Sequence, residues 1–174
     1  MKNTISVWQL VGFAFTSVLG TLLHFLYEWT GSKFAALFSG VNESTWEHMK
    51  LIFFPMLLFA VIESRFIGKD NEGFWCIKLK GTLLGLILIP IIFYTANGAF
   101  GKSPDWFNIS IFFIAAAIAY FYETTLFKRD TPCKHKKTAI ALLCAIAIAF
   151  WIFTFYPPQI PLFLDPVTNM YGIV

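Results

Sequence analysis

The chain has 174 residues, of which 57% are hydrophobic and only 13% charged, against about 25% charged residues in an ordinary soluble domain. Its net charge of +3 is small, and no helix or patch outside the apolar runs is large enough to hold a nucleic acid, which excludes that class of partner. The three Cys (Cys76, Cys133 and Cys144) have no metal-binding spacing and suggest no disulfide framework.

A bilayer core about 30 Å thick needs roughly 20 apolar residues of helix, and five runs qualify: residues 6–27, 46–67, 74–96, 106–127 and 138–156. They predict one all-α domain over residues 1–174, a polytopic transmembrane helical bundle of about five spans. The first run is too long for a signal-peptide core and no A-x-A-like site follows it, so it is expected to be retained. Pro55 and Pro90 fall inside the second and third runs and predict kinks. Small residues recur at i, i+4 as Gly81 and Gly85, as Ala115 and Ala119, and as Ala141, Ala145 and Ala149; such spacing predicts internal faces where backbones approach. After Tyr156, the prolines Pro157, Pro158 and Pro161 forbid a sixth span. The remaining segment is too apolar to float in water, so a non-helical tail is expected to fold over the outer face, with a turn at Asp165–Asn169.

Basic residues set the orientation. Arg65, Lys69, Lys78 and Lys80 follow the second run, and Lys128, Arg129, Lys134, Lys136 and Lys137 follow the fourth. The loops at the other end carry only Lys33 and Lys102. The reading is a multi-pass protein of the cell membrane, with the N-terminus cytoplasmic, the C-terminus outside and the bilayer as its partner. All three Cys then lie on or near the reducing side. Near the inner ends, Glu63 is expected to pair with Arg65, and Glu123 with Lys128 or Arg129.

The chemistry concentrates at the outer face. His24 and Glu28 are four apart and share a helix face, which Ser17 and Thr21 extend inward. Asn42, Glu43, Ser44, Trp46, Glu47 and His48 open the next span at similar depth. Ionisable groups within a span usually face the bundle interior, so both imidazoles are expected to meet. His24, Glu28, Asn42, Glu43, Glu47 and His48, with Asp165 arriving from the tail, form a candidate site for a lipid headgroup or a divalent metal such as Zn²⁺. His24, His48 and Glu28 are the candidate catalytic groups. Ser44-x-x-Glu47 also reads as a capping box, Ser44 capping the helix while Glu47 bonds back to its amide. Trp46 fits an interfacial anchor, and Glu28 has Lys50 as a possible ion-pair partner.

Leu23-His24, Val41-Asn42-Glu43-Ser44-x-Trp46-Glu47-His48 and Asp165-Pro166-Val167-Thr168-Asn169-x-Tyr171-Gly172 resemble a family of small bacterial multi-pass membrane proteins of unknown function. That resemblance covers most of the chain and implies membrane location without an activity. A second, partial resemblance is to the seven-span membrane hydrolases of the progestin and adipoQ receptor and ceramidase group. It rests on Asn42, Trp46 and His48 at the start of a span and implies a zinc site, although the spacing differs and His135 falls on the cytoplasmic side. The functional readings are a metal- or headgroup-binding membrane protein, a metal-dependent hydrolase or transferase acting on lipid, and a small-solute transporter or non-catalytic membrane subunit. The transporter reading requires a polar path along Ser17, Thr21, Thr82 and Thr95.

Overall fold

A computed structural model of the chain describes residues 2–69 and 71–173. The elements run α1 (Lys2–Thr30), α2 (Lys33–Ala36), α3 (Thr45–Ser64), α4 (Phe74–Phe100), α5 (Asp105–Lys128) and α6 (Lys136–Phe155), followed by a 3₁₀ turn at Pro161–Phe163. Among the described residues no strand forms; a single bridge joins Leu164 to Tyr171. All helices but α2 are long and apolar enough to cross a membrane. Gly31 (φ 59°) ends α1 and Gly101 (φ 80°) ends α4, where a side chain would oppose the left-handed backbone.

α3 lies at the centre. It packs on α1, α4, α5 and α6 and on the 3₁₀ turn, and it is buried nearly all round, with Leu51, Ile52, Phe53, Phe54, Met56 and Phe59 inside. A helix apolar on every face is stable only when other helices surround it. α1 approaches α3 through glycine: a Cβ on Gly20 would stand 2.6 Å from the Leu51 carbonyl oxygen. The buried stripe of α1 is Ile5, Gln9, Gly12, Thr16, Gly20 and Leu23. Thr21 and Glu28, expected to face inward with His24, are exposed instead. Thr95 is exposed as well, so Ser17, Thr21, Thr82 and Thr95 line no common path. The outward faces carry Leu10, Val18, Ile91, Ile118, Phe121 and Ile148, an apolar coat that suits lipid contact.

The small-residue faces are met in part. Gly81, Gly85, Ala115 and Ala119 are all buried where α4 meets α5, and Gly85 approaches Ala119. On α6, however, Ala141 and Ala145 are exposed, and the buried row is Ala139, Leu143, Ala147 and Phe150. The larger residues of that row fill the space beside α3 and α4, which an alanine row would leave empty. Cys76 and Cys133 are joined by a disulfide, with Cα atoms 5.7 Å apart, against the expectation of none. They are 57 residues apart in sequence, and the packing of α5 along α4 brings the α5–α6 loop back to the start of α4.

At that end lies a buried charge cluster. Lys78 Nζ contacts Glu63 Oε2 at 2.5 Å and Glu123 Oε2 at 2.6 Å, and all three side chains are almost completely buried. Gln9 Nε2 donates to Glu63 Oε1 at 2.6 Å. The rings of Phe59, Phe74, Tyr120 and Phe127 surround the ammonium at 5.4–5.9 Å. The cluster therefore joins α1, α3, α4 and α5, and it replaces the expected pairings of Glu63 with Arg65 and of Glu123 with Lys128 or Arg129. Those bases are exposed and keep their hydration, whereas a buried carboxylate needs a partner inside. Gly81 makes room for it, since any Cβ there would collide with the Glu123 carboxylate. Lys78→Met, by stranding two buried carboxylates, is expected to cost about 3–5 kcal/mol. Glu63→Gln/Lys78→Met/Glu123→Gln should recover part of that loss. Unfolding of detergent-purified protein measures both; a Lys78→Met protein as stable as the parent would refute the pairing.

Candidate metal centre

The loop between α1 and α3 is held by side chains rather than by regular structure. Ser32 accepts from the Phe34 amide (3.2 Å) and starts α2. The buried Ser39 hydroxyl sits against α1 beside His24: it donates to the Leu23 carbonyl and accepts from the Tyr27 amide (2.9 Å). Asn42 Oδ1 accepts from the Ser44 amide (2.9 Å), and Ser44 caps α3 by accepting from the Glu47 amide (3.4 Å). Glu43 is thereby presented between His24 on α1 and His48 in the first turn of α3.

His24 Nε2 lies 3.8 Å from Glu43 Oε1, and His48 Nε2 lies 3.4 Å from Glu43 Oε2. The imidazole centroids are 5.3 Å apart, so the two His converge as expected. One ligand atom from each of the three residues lies within 4.8 Å of the others. These separations exceed hydrogen bonds but approach the edge of about 3.3 Å that tetrahedral coordination at 2.0–2.1 Å requires. His48 Nδ1 is 3.0 Å from the Ser44 carbonyl oxygen. A carbonyl only accepts, so Nδ1 carries the proton and Nε2 presents its lone pair to the cluster, the outer-sphere arrangement that orients metal-binding histidines.

The remaining candidates do other work. Glu28 lines a cavity of about 200 Å³ together with the three donors, but it is not one of the converging groups. Asn42 spends its amide nitrogen on the Gly172 carbonyl (2.8 Å), tying the tail to the loop. Asp165 closes its own turn, accepting from the Val167 amide (2.8 Å) and the Thr168 hydroxyl (2.7 Å). The tail folds back over this end: Pro166 and Val167 reach the neighbourhood of His24 and His48. Trp46 is half-buried and packs on Phe150 and Phe163.

Glu47 also lines the small cavity beside the imidazoles, but its carboxylate is taken by other partners. Its Oε2 accepts from the Val41 amide at 3.1 Å and pairs with buried Lys50 at 2.6 Å. Only the Ser44 half of the capping box forms, because Asn42 already satisfies the Ser44 amide. Lys50 also donates to the Ala36 carbonyl and to Thr154, both at 2.8 Å, so it is not a partner for Glu28. The sequence reading missed Lys50 and Thr154 as a second buried polar network. The available signal was Glu47-x-x-Lys50 at helix spacing inside an apolar run.

The chain belongs to DUF6512, a family of unknown function, which it matches over residues 1–173. No curated protein and no solved structure matches it, so nothing in the comparisons supports the likeness to the membrane hydrolases. Asn42→Ala is expected to release the tail and cost about 1–2 kcal/mol, the range for a lost cap and hydrogen bond. Limited proteolysis should then cut beyond residue 156 faster than in the parent; an unchanged pattern would show that the tail is held without Asn42.

Proposed function

We propose that the chain is an integral protein of the cell membrane that holds one divalent cation, zinc by ligand chemistry, through His24, Glu43 and His48. The observation carrying this reading is the convergence of two imidazoles and one carboxylate, with the His48 tautomer set by the Ser44 carbonyl. Two imidazoles and a carboxylate suit zinc, and three protein ligands leave a fourth position for water or substrate, the arrangement of catalytic rather than structural zinc. When bound, such an ion supplies Lewis-acid chemistry. This favours a metal-dependent reaction at the membrane surface over transport, since the four polar positions required by a transporter line no common path.

The test is metal content after zinc loading and desalting of detergent-purified protein. About one ion per chain is expected, with His24→Ala, His48→Ala and Glu43→Gln each weakening binding by more than the 10–100-fold typical of outer-sphere partners. Glu28→Gln should retain the ion. No stoichiometric zinc in the parent, or equal retention in the three ligand variants, would sink the reading.

For orientation, the basic residues favour placing the metal end outside. Even with Lys78 buried, Arg65, Lys69, Lys80, Lys128, Arg129 and Lys134 remain exposed at the opposite end. In a background lacking the three native cysteines, an impermeant thiol reagent should label Asn169→Cys in intact cells and spare Lys134→Cys. The Cys76–Cys133 disulfide lies at that same basic end and weighs against this orientation, because a reducing cytoplasm disfavours such a bond. The reversed labelling would turn the protein over.

A further inference from the structure

His24, Glu43 and His48 form a wall shared by two cavities, a small one of mixed lining and a larger one that is mostly apolar. On one side is the cavity of about 200 Å³, with Tyr27, Glu28 and Asn42. On the other is a cavity of about 500 Å³ enclosed by α1, α3, α4, α5 and the tail. That volume lies in the range of small-molecule sites, about 300–1,000 Å³. Its walls are apolar at Ile89, Phe93, Ile111 and Phe112, while Asn97, Lys102 and Asn108 supply polar groups. Phe25 on α1 and Ile109 on α5 line it and are also exposed at 41% and 60%, so it opens sideways on the apolar outside of the bundle. The three donor residues thus stand where a small cavity carrying polar side chains meets a mostly apolar one.

We propose that the larger cavity takes the acyl chain of a phospholipid whose phosphate oxygen occupies the open position on the ion. This rests on the metal reading above. Charge selects the headgroup. With neutral imidazoles, Glu43 alone leaves the donor group negative, whereas a divalent ion makes it positive. Lys102 adds a cation to the cavity, opposed there by Asp105. An anionic oxygen is therefore attracted only when the ion is bound. The chain is selected by the apolar walls, and the sideways opening admits it from the bilayer without passage through water.

Dodecyl phosphate, kept below its micellar concentration, is the probe, with ethyl phosphate and inorganic phosphate as headgroup-only controls. The protein is held in amphipol, so that no free detergent fills the cavity. Each buried methylene contributes about fourfold in affinity, so zinc-loaded protein is expected to bind dodecyl phosphate at least about 50-fold more tightly than ethyl phosphate. Stripping the zinc should weaken dodecyl phosphate at least tenfold. Val167→Trp, on the exposed tail, and Ile109→Trp, on the bundle surface, should each lower dodecyl phosphate affinity while leaving zinc content and ethyl phosphate binding unchanged. Equal affinity for the short and long phosphates on zinc-loaded protein would overturn the acyl-chain assignment and leave the metal site standing. Equal dodecyl phosphate binding with and without zinc would overturn placement of the phosphate on the ion. Failure of the parent to take up zinc would remove the metal reading and this inference with it.

Discussion

A buried ammonium with two buried carboxylates sets the architecture. Lys78 lies on α4, Glu63 on α3 and Glu123 on α5, with Gln9 of α1 attached to Glu63. Where apolar side chains meet lipid as readily as one another, helices slide and rotate at little cost. A charge that must be paired inside removes that freedom: turning α4 by one residue, about 100°, would strand Lys78. Gly81 lies one turn from Lys78 and leaves space for Glu123, so the α4–α5 contact and the charge pairing require each other.

α3 transmits that constraint to the other end. It begins at the Ser44 cap, carries Glu47 and Lys50 on one face and ends near Glu63. Glu47 and Lys50 are three residues apart and close a network with Thr154 of α6 and the Ala36 carbonyl. This consumes Glu47 and leaves His48, one residue on, directed toward α1. Ser39, bonded to the turn of α1 that contains His24, fixes the loop that delivers Glu43. The candidate metal centre is thus assembled by groups that do not belong to it: a lysine and a threonine behind α3, a serine against α1 and an asparagine holding the tail.

Much of this was legible from residue order alone. Five apolar runs give five long helices with ends displaced by up to about four residues: α1 and α4 extend beyond their apolar runs, whereas α3 stops at Ser64, short of residue 67. His24 and His48 could be paired because they lie on consecutive helices at similar depth. Glu43 fell among several acids near them, and local spacing could not separate it from Glu47 and Glu28. The acid that joins the imidazoles is the loop residue; Glu47 answers a lysine three residues on, and Glu28 lines the adjoining cavity without converging on them.

The failures share a cause. Residue order pairs Glu63 and Glu123 with the nearest bases, yet Arg65, Lys128 and Arg129 are exposed, where an ion pair contributes little. The alanine spacing on α6 predicts an inner face, yet Ala141 and Ala145 are exposed, because small residues fit either a tight contact or a lipid-facing surface. Cys76 and Cys133 looked unrelated until α4 and α5 packed. The sequence by itself determined that the chain forms membrane-length helices, their order and approximate extent, and which end carries the imidazoles, since apolar length and charge placement are local properties. The tertiary structure decided which charges pair, which acid joins the histidines and that an apolar cavity abuts them. Those outcomes depend on helix rotation, set by long-range pairing of buried charges and by glycine contacts.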